Sequence, residues 1–238
     1  MHRLVAPVLL ASFAVSVWAA EPDWRPLFNG RDLSGWSGDP RLWSVRDGAI
    51  RGETTAAQPA DGNTFLIRED LVLRDFELKL SFRCGSANNS GIQYRSRHVT
   101  EGKPRNAWVV HGYQHEIRNS SQLPSVAGFI YDEGGRRGRI CHVGEQAVWV
   151  DGAKQVKGQL IDAEGFAKLF RRDDWNDVRI VAEGTRIRHH LNGTLILDFS
   201  DGADVAIREG VLALQLHGGA PMWAEYRDIA VRDLPAAP

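Results

Sequence analysis

The feature that most limits the fold is a two-residue rhythm, repeatedly cut by turn-forming residues. Phe76-Glu-Leu78-Lys-Leu80-Ser-Phe82 alternates apolar and polar side chains without a break. Successive side chains of a strand point to opposite faces, so this is the pattern of a half-buried antiparallel strand. Comparable runs cover 43–45, 64–67, 178–182, 187–191, 195–199, 211–216 and 229–231. Between the runs stand Asn29-Gly30, Asp47-Gly48, Asn192-Gly193 and Gly218-Gly219. Glycine and asparagine there supply the positive φ that other residues resist. Only 163–171 and 204–209 offer a turn or two of helix, and no long stretch holds a 3.6-residue period. The rhythm therefore predicts an all-β chain, a jelly-roll sandwich of two packed antiparallel sheets, forming one domain over 21–238.

Residues 1–20 are expected to be a signal peptide. Met1-His2-Arg3 is a short basic start, an apolar run follows to Val17, and Ala19-Ala20 offers small residues for cleavage. The run is shorter than the roughly 18 to 20 residues of a membrane span. The expected location is therefore periplasmic or secreted, with no membrane partner after cleavage. Losing Arg3 lowers the 29 basic residues to 28, against 30 acidic ones. That balance excludes attraction to nucleic acid. Cys84 and Cys141 are the only cysteines. They give no metal spacing and leave a disulfide open. No zinc, calcium-loop or phosphate-loop pattern is present, so nothing calls for a metal or cofactor.

The polar content of the strands around 89–132 points to a ligand site. In NSGIQYRSR, 89–97, alternation sends Ile92 and Tyr94 to a core and Gln93, Arg95 and Arg97 to the other face. In GYQHEI, 112–117, Gln114 and Glu116 part from Tyr113, His115 and Ile117. Gln215 and His217 share a face while Leu214 and Leu216 enter the core. If these strands are neighbours, amides, a carboxylate and guanidinium groups converge on one sheet face. Amides both donate and accept, which suits sugar hydroxyls. Tyr131 is placed to stack on a ring or donate a hydrogen bond, and Asp132 either meets a ligand or caps the turn at Gly134-Gly135. Arg136, Arg137 and Arg139 form a short, glycine-broken basic loop at one end. His111 and His115 fall on the core side, a poor arrangement for a metal.

The strings PLFNGRDLSGW (26–36), WSVRDGAI (43–50), NSGIQYR (89–95), GYQ (112–114), GFIYDE (128–133), DWN (174–176), LNG (191–193) and LQLHG (214–218) resemble the 3-keto-disaccharide hydrolase family of exported bacterial proteins. The likeness runs in order from Trp24 to Val231. It implies a concanavalin-like jelly roll, similar to laminarinase-type hydrolases, with its cleft on the concave sheet. It also implies cleavage of saccharides whose C3 hydroxyl has been oxidised to a ketone, with a glycoside 3-oxidoreductase upstream as pathway partner.

Laminarinase-like sandwiches place their acids at alternate positions of one strand, where this chain has Gln114, Glu116 and Arg118. Only one is acidic, whereas ordinary glycosidases need a carboxylate pair. A 3-keto sugar needs less, because its ketone acidifies the proton on C2. One base can remove that proton, and the enolate then expels the C1 substituent. The resulting expectation makes Glu116 the base, Arg95 the enolate stabiliser and His217 the acid, with Gln93, Arg97, Gln114, Tyr131, Asp132 and Gln215 on the substrate. A cross-sheet ion pair of Glu116 with Arg95 is the purely structural alternative. Many relatives carry aspartate at the position of Glu116 and an acid at that of Arg118, so the site departs from the family pattern there. The functional alternatives are a non-catalytic carbohydrate-binding module, and an ordinary glycosidase with a second carboxylate about 5 to 10 Å from Glu116.

Overall fold

A computed structural model describes residues 23–85 and 88–236; the expected signal peptide lies outside the described residues. In chain order the strands are β1 Arg25–Pro26, β2 Trp43–Arg46, β3 Ala49–Thr54, β4 Thr64–Leu73, β5 Phe76–Gly85, β6 Ser90–His98, β7 Val110–Ile117 and β8 Ile130–Glu133. They continue as β9 Arg139–Cys141, β10 Glu145–Val150, β11 Ala153–Gln159, β12 Asn176–Glu183, β13 Arg186–Leu191, β14 Thr194–Asp201, β15 Gly210–Leu216 and β16 Met222–Asp233. A seven-residue helix, α1 Ala163–Leu169, starts at Asp162, whose carboxylate accepts the Gly165 N–H. The stretch at 204–209 forms a turn rather than a helix.

The strands form two sheets. The larger runs β11-β10-β14-β13-β12-β5-β16-β3-β2, with β1 beside β16, and the six-stranded sheet runs β4-β15-β6-β7-β8-β9. All pairings are antiparallel save β10 with β14, which run parallel. Phe76, Leu78, Leu80 and Phe82 of β5 are buried as the alternation predicts, and meet Ile92, Tyr94, Tyr113, Leu214 and Leu216 of the other sheet in one core. Burying such side chains contributes about 1.5–3 kcal/mol each. The Asn192-Gly193 turn closes β13 on β14, with φ of 46° and 84°. Cys84 and Cys141 are free, buried thiols. Among the described residues no helix is long and apolar enough to cross a membrane.

Candidate active site

The outer face of the six-stranded sheet carries a polar cleft of about 200 Å³. Register builds it. Gln93 of β6 pairs with Gln114 of β7, Gly91 with Glu116, and Gln114 in turn with Tyr131 of β8. Ala213 of β15 lies beside Gln93, so Gln215 continues the same face. The lining includes Gln114, Glu116, Tyr131, Gln215 and His217, all expected from the sequence, together with Asn63, Asn89, Arg118, Phe129, Glu133 and Arg139.

Glu116 is 3% exposed. Its Oε2 accepts from Gln114 Nε2 at 2.8 Å. Its Oε1 lies 2.8 Å from Arg118 Nε, yet the N–H does not point along that line, and Oε1 receives no aligned hydrogen bond. Burial raises the carboxyl to about 7; the charge of the adjacent Arg118 guanidinium, then the bond from Gln114, pull the other way without cancelling it. Arg139 adds a weaker pull in the same direction. A carboxyl raised towards neutrality, with one oxygen beside a guanidinium but without an aligned hydrogen bond, suits a general base.

Glu133 is a second carboxylate of the cleft, in the place expected from the sequence for its neighbour Asp132. Its parity with Tyr131 on β8 was the available signal. Oε1 accepts from Asn63 Nδ2 at 3.0 Å and Oε2 from Gln215 Nε2 at 3.2 Å. Glu133 pairs with Gly112, while the Glu116 N–H bonds the Phe129 carbonyl. The two acids thus stand four strand positions apart, roughly 13 Å along the chain direction at about 3.3 Å per residue. Gln215 also holds an Oε1 that is buried without a donor. His217 stands at the rim, where the cleft meets a larger cavity of about 860 Å³ bounded by Asp61, Asn63, Glu101 and Arg105. Its Nδ1 is 2.7 Å from the Gly218 carbonyl. A carbonyl only accepts, so Nδ1 carries the hydrogen and the neutral ring offers Nε2 as a lone pair.

Four expected site residues fall elsewhere. Arg95 is 1% exposed and turned into the protein, where its guanidinium donates to the Arg74 carbonyl at 2.7 Å, the Gly184 carbonyl at 2.8 Å and Asp75 Oδ1 at 3.1 Å. The cause is a β-bulge. Between Tyr94↔Tyr113 and Arg97↔His111 strand β6 has one residue more than β7, and Arg95 takes φ 47°. It faces neither Glu116 nor the cleft. Arg97, beyond the bulge, is exposed and lines a neighbouring cavity of about 560 Å³. Asp132 borders that same cavity and holds its turn: Oδ2 accepts the Arg137 N–H at 3.0 Å, and Arg137 Nε approaches it at 3.6 Å. Gln93 is fully buried, so it cannot touch a substrate.

The fold and this cleft define a concanavalin-like sandwich with an acid-bearing polar site on one sheet. Residues 23–232 match the 3-keto-alpha-glucoside-1,2-lyase-like domain, and the chain belongs to that family. A 3-keto-disaccharide hydrolase of Bacteroides thetaiotaomicron is 28% identical over 107 residues, covering 37% of this chain and 36% of that protein. The match thus spans about a third of that relative. A candidate glycosyl hydrolase of Parabacteroides distasonis superposes with a TM-score of 0.56 at 20% identity, over 89% of this chain and 99% of that one. The carbohydrate recognition domain of Emp47p superposes at 0.50 and 14% identity, over 90% and 99%. These last two show a shared fold.

Proposed function

We propose that the protein cleaves 3-keto-glycosides by proton abstraction at C2 and elimination at C1, with water completing hydrolysis. The family membership supports a glycoside-cleaving role, and the elimination route is supported by one arrangement: a buried carboxyl in the cleft, raised by that burial, whose Oε1 sits beside the Arg118 guanidinium without an aligned hydrogen bond. Glu116 Oε1 takes the C2 proton, and the C2–H electron pair moves to the enolate C2=C3–O⁻. The enolate collapses to the ketone, forms C1=C2 and expels the C1 oxygen. Water adds at C1 and a proton returns to C2, so the net change is hydrolysis; release before hydration gives the lyase product. The role expected for Arg95 passes to the guanidinium groups that line the cleft, Arg118 and Arg139, which would face the ketone oxygen. His217 stands where the leaving group would cross into the larger cavity; there the imidazolium would protonate that oxygen from Nε2, and the neutral ring left behind would accept a hydrogen of the incoming water. Gln114, Gln215, Tyr131 and Glu133 would hold the ring hydroxyls.

A second reading rests on Glu133, whose carboxylate lines the same cleft as Glu116. Direct hydrolysis of unoxidised glucosides would use the two as an acid pair. Against it, both oxygens of Glu133 already accept amide hydrogens. Assay of 3-keto-trehalose beside trehalose, with Glu116→Gln and Glu133→Gln, tests both readings. Turnover of the keto substrate alone, lost at least about a hundredfold in Glu116→Gln, supports the elimination route. Turnover of trehalose itself, lost in both variants, overturns it. Sugar binding without turnover leaves a carbohydrate-binding module of the same fold.

A further inference from the structure

We propose that Ser96, Gln93 and Gln114 form a one-way hydrogen-bond relay that fixes Glu116 through its Oε2 and so sets the direction in which Oε1 faces the cleft. The inference rests on the reading of Glu116 as the base and adds three positioning residues to it. Ser96 Oγ donates to Gln93 Oε1 at 2.9 Å, with the Tyr94 carbonyl at 3.2 Å as a longer second acceptor, Gln93 Nε2 donates to Gln114 Oε1 at 2.6 Å, and Gln114 Nε2 to Glu116 Oε2 at 2.8 Å. Its direction follows from chemistry at the carboxylate end. An ionised carboxylate only accepts, so Gln114 must present its amide nitrogen to it and its oxygen to Gln93. Gln93 must then present nitrogen to Gln114 and oxygen to Ser96, whose hydroxyl closes the chain. Every member is buried, and neither amide can flip without losing its bonds on both sides.

Local backbone structure makes the relay possible. Gly91 lies beside Glu116, and a Cβ there would overlap the Gln114 side chain; its absence lets the amide lie flat across β6. Gly112 does the same over Ser96, whose hydroxyl a Cβ would meet. The bulge is the third device. Without the extra residue, position 96 would follow Tyr94 onto the core face; with it, Ser96 joins the face of Gln93. Arg95, bonded to Arg74, Asp75 and Gly184, locks the bulge and hence the far end of the relay. The residue expected to touch the enolate acts instead from beneath the sheet, through Ser96.

The test is the pH dependence of kcat/KM on 3-keto-trehalose for Gln93→Leu and Ser96→Ala, with Glu116→Gln alongside. The charged groups that face Glu116 are Arg118 at the end of its own strand, Arg139 on β9, and Glu133 and His217 across the cleft; none is altered. Gln93 touches no sugar, so KM should stay within about twofold. A base freed to swing should lower kcat about tenfold or more, since misplacement by an ångström can cost a hundredfold. The acidic limb of the profile should move to higher pH as the hydrogen bond to the carboxylate loosens. Ser96→Ala removes one hydroxyl and should move the same two quantities less; it serves if Gln93→Leu does not fold. Wild-type kcat and an unmoved limb in a folded Gln93→Leu or Ser96→Ala protein, with Glu116→Gln inactive, overturn the relay alone. Activity retained in Glu116→Gln overturns the underlying reading of the base, and the relay with it.

Discussion

Replacing Glu116 by glutamine should stabilise the protein above neutral pH while abolishing its activity. Burial lifts the carboxyl from 4.5 to about 7. A folded-state value above the unfolded one means that folding favours the proton. The stabilising contribution of the protonated form is therefore complete below about pH 4.5 and drains away as pH rises towards 7. About 2.5 units at roughly 1.4 kcal/mol each make the buried charge cost up to about 3 kcal/mol at pH 8. Glutamine keeps the shape and carries no charge, so it avoids this penalty. For a chain of this size 1 kcal/mol shifts Tm by about 2–4 °C, giving a gain of up to roughly 6–12 °C at pH 8 and little at pH 4.5. Thermal unfolding of both proteins across pH 4.5–8, beside kcat/KM on a 3-keto glycoside, measures each half of the statement. A gain that is the same at all pH values, or a loss at pH 8, would refute the assignment of Glu116 as an under-compensated buried charge.

The remaining predictions concern the core, the bulge and the leaving group. His115 is fully buried without an aligned partner for either ring nitrogen, and burial lowers it from 6.5 to about 4. Stability should thus be lost as pH falls from 6.5 to 4, by about 3 kcal/mol from this ring; the gap between urea midpoints at pH 4.5 and 7 should narrow in His115→Leu, with the share of the neighbouring buried ring of His189 remaining. Arg95→Met strips donors from two buried carbonyls and breaks an ion pair with Asp75. It should lose at least about 3 kcal/mol in urea denaturation at pH 7. Val109 lines the 860 Å³ cavity beside His217. Val109→Trp should reduce kcat/KM about tenfold or more for substrates with a bulky leaving group and spare those with a small one, in competition assays. Turnover by the wild type should rise through about pH 7 as Glu116 loses its proton, which a pH profile of kcat/KM reads directly.

The sheet pattern was legible because alternation needs only neighbours in sequence. All eight runs read as strands lie in strands, and the Asn192-Gly193 hairpin formed where its turn residues stand. Strands β10 and β11 were not legible: Val148-Trp149-Val150 does not alternate, and β11 is half-exposed on the sheet edge with lysine and glutamine. Asp151-Gly152, with φ of 52° and 77°, was the overlooked hairpin signal. In the cleft, Gln114, Glu116, Gln215 and His217 followed from parity. Parity failed at Arg95 because one extra residue reverses it, and nothing in SGIQYRSR marks a bulge when a non-glycine residue adopts positive φ.

Arg95 and Glu116 look like partners in the sequence, yet what their oxygens and nitrogens lack separates them. Arg95 is buried, and its three bonds to two carbonyls and a carboxylate give the charge what water would have given. Such a group holds structure together and has no reason to meet a substrate. Glu116 is as deeply buried, yet one oxygen receives a single amide hydrogen and the other none in line. A charge left short of donors is unstable until something brings it a proton. On the proposed reading, the acidified C2–H of a 3-keto sugar would be such a donor, and taking its proton would relieve the same deficit that raises the carboxyl towards 7. On that reading the destabilisation of the resting site and the basicity of Glu116 have one cause, and the stability gain of Glu116→Gln at pH 8 should match the pKa read from the acidic limb of the wild-type profile.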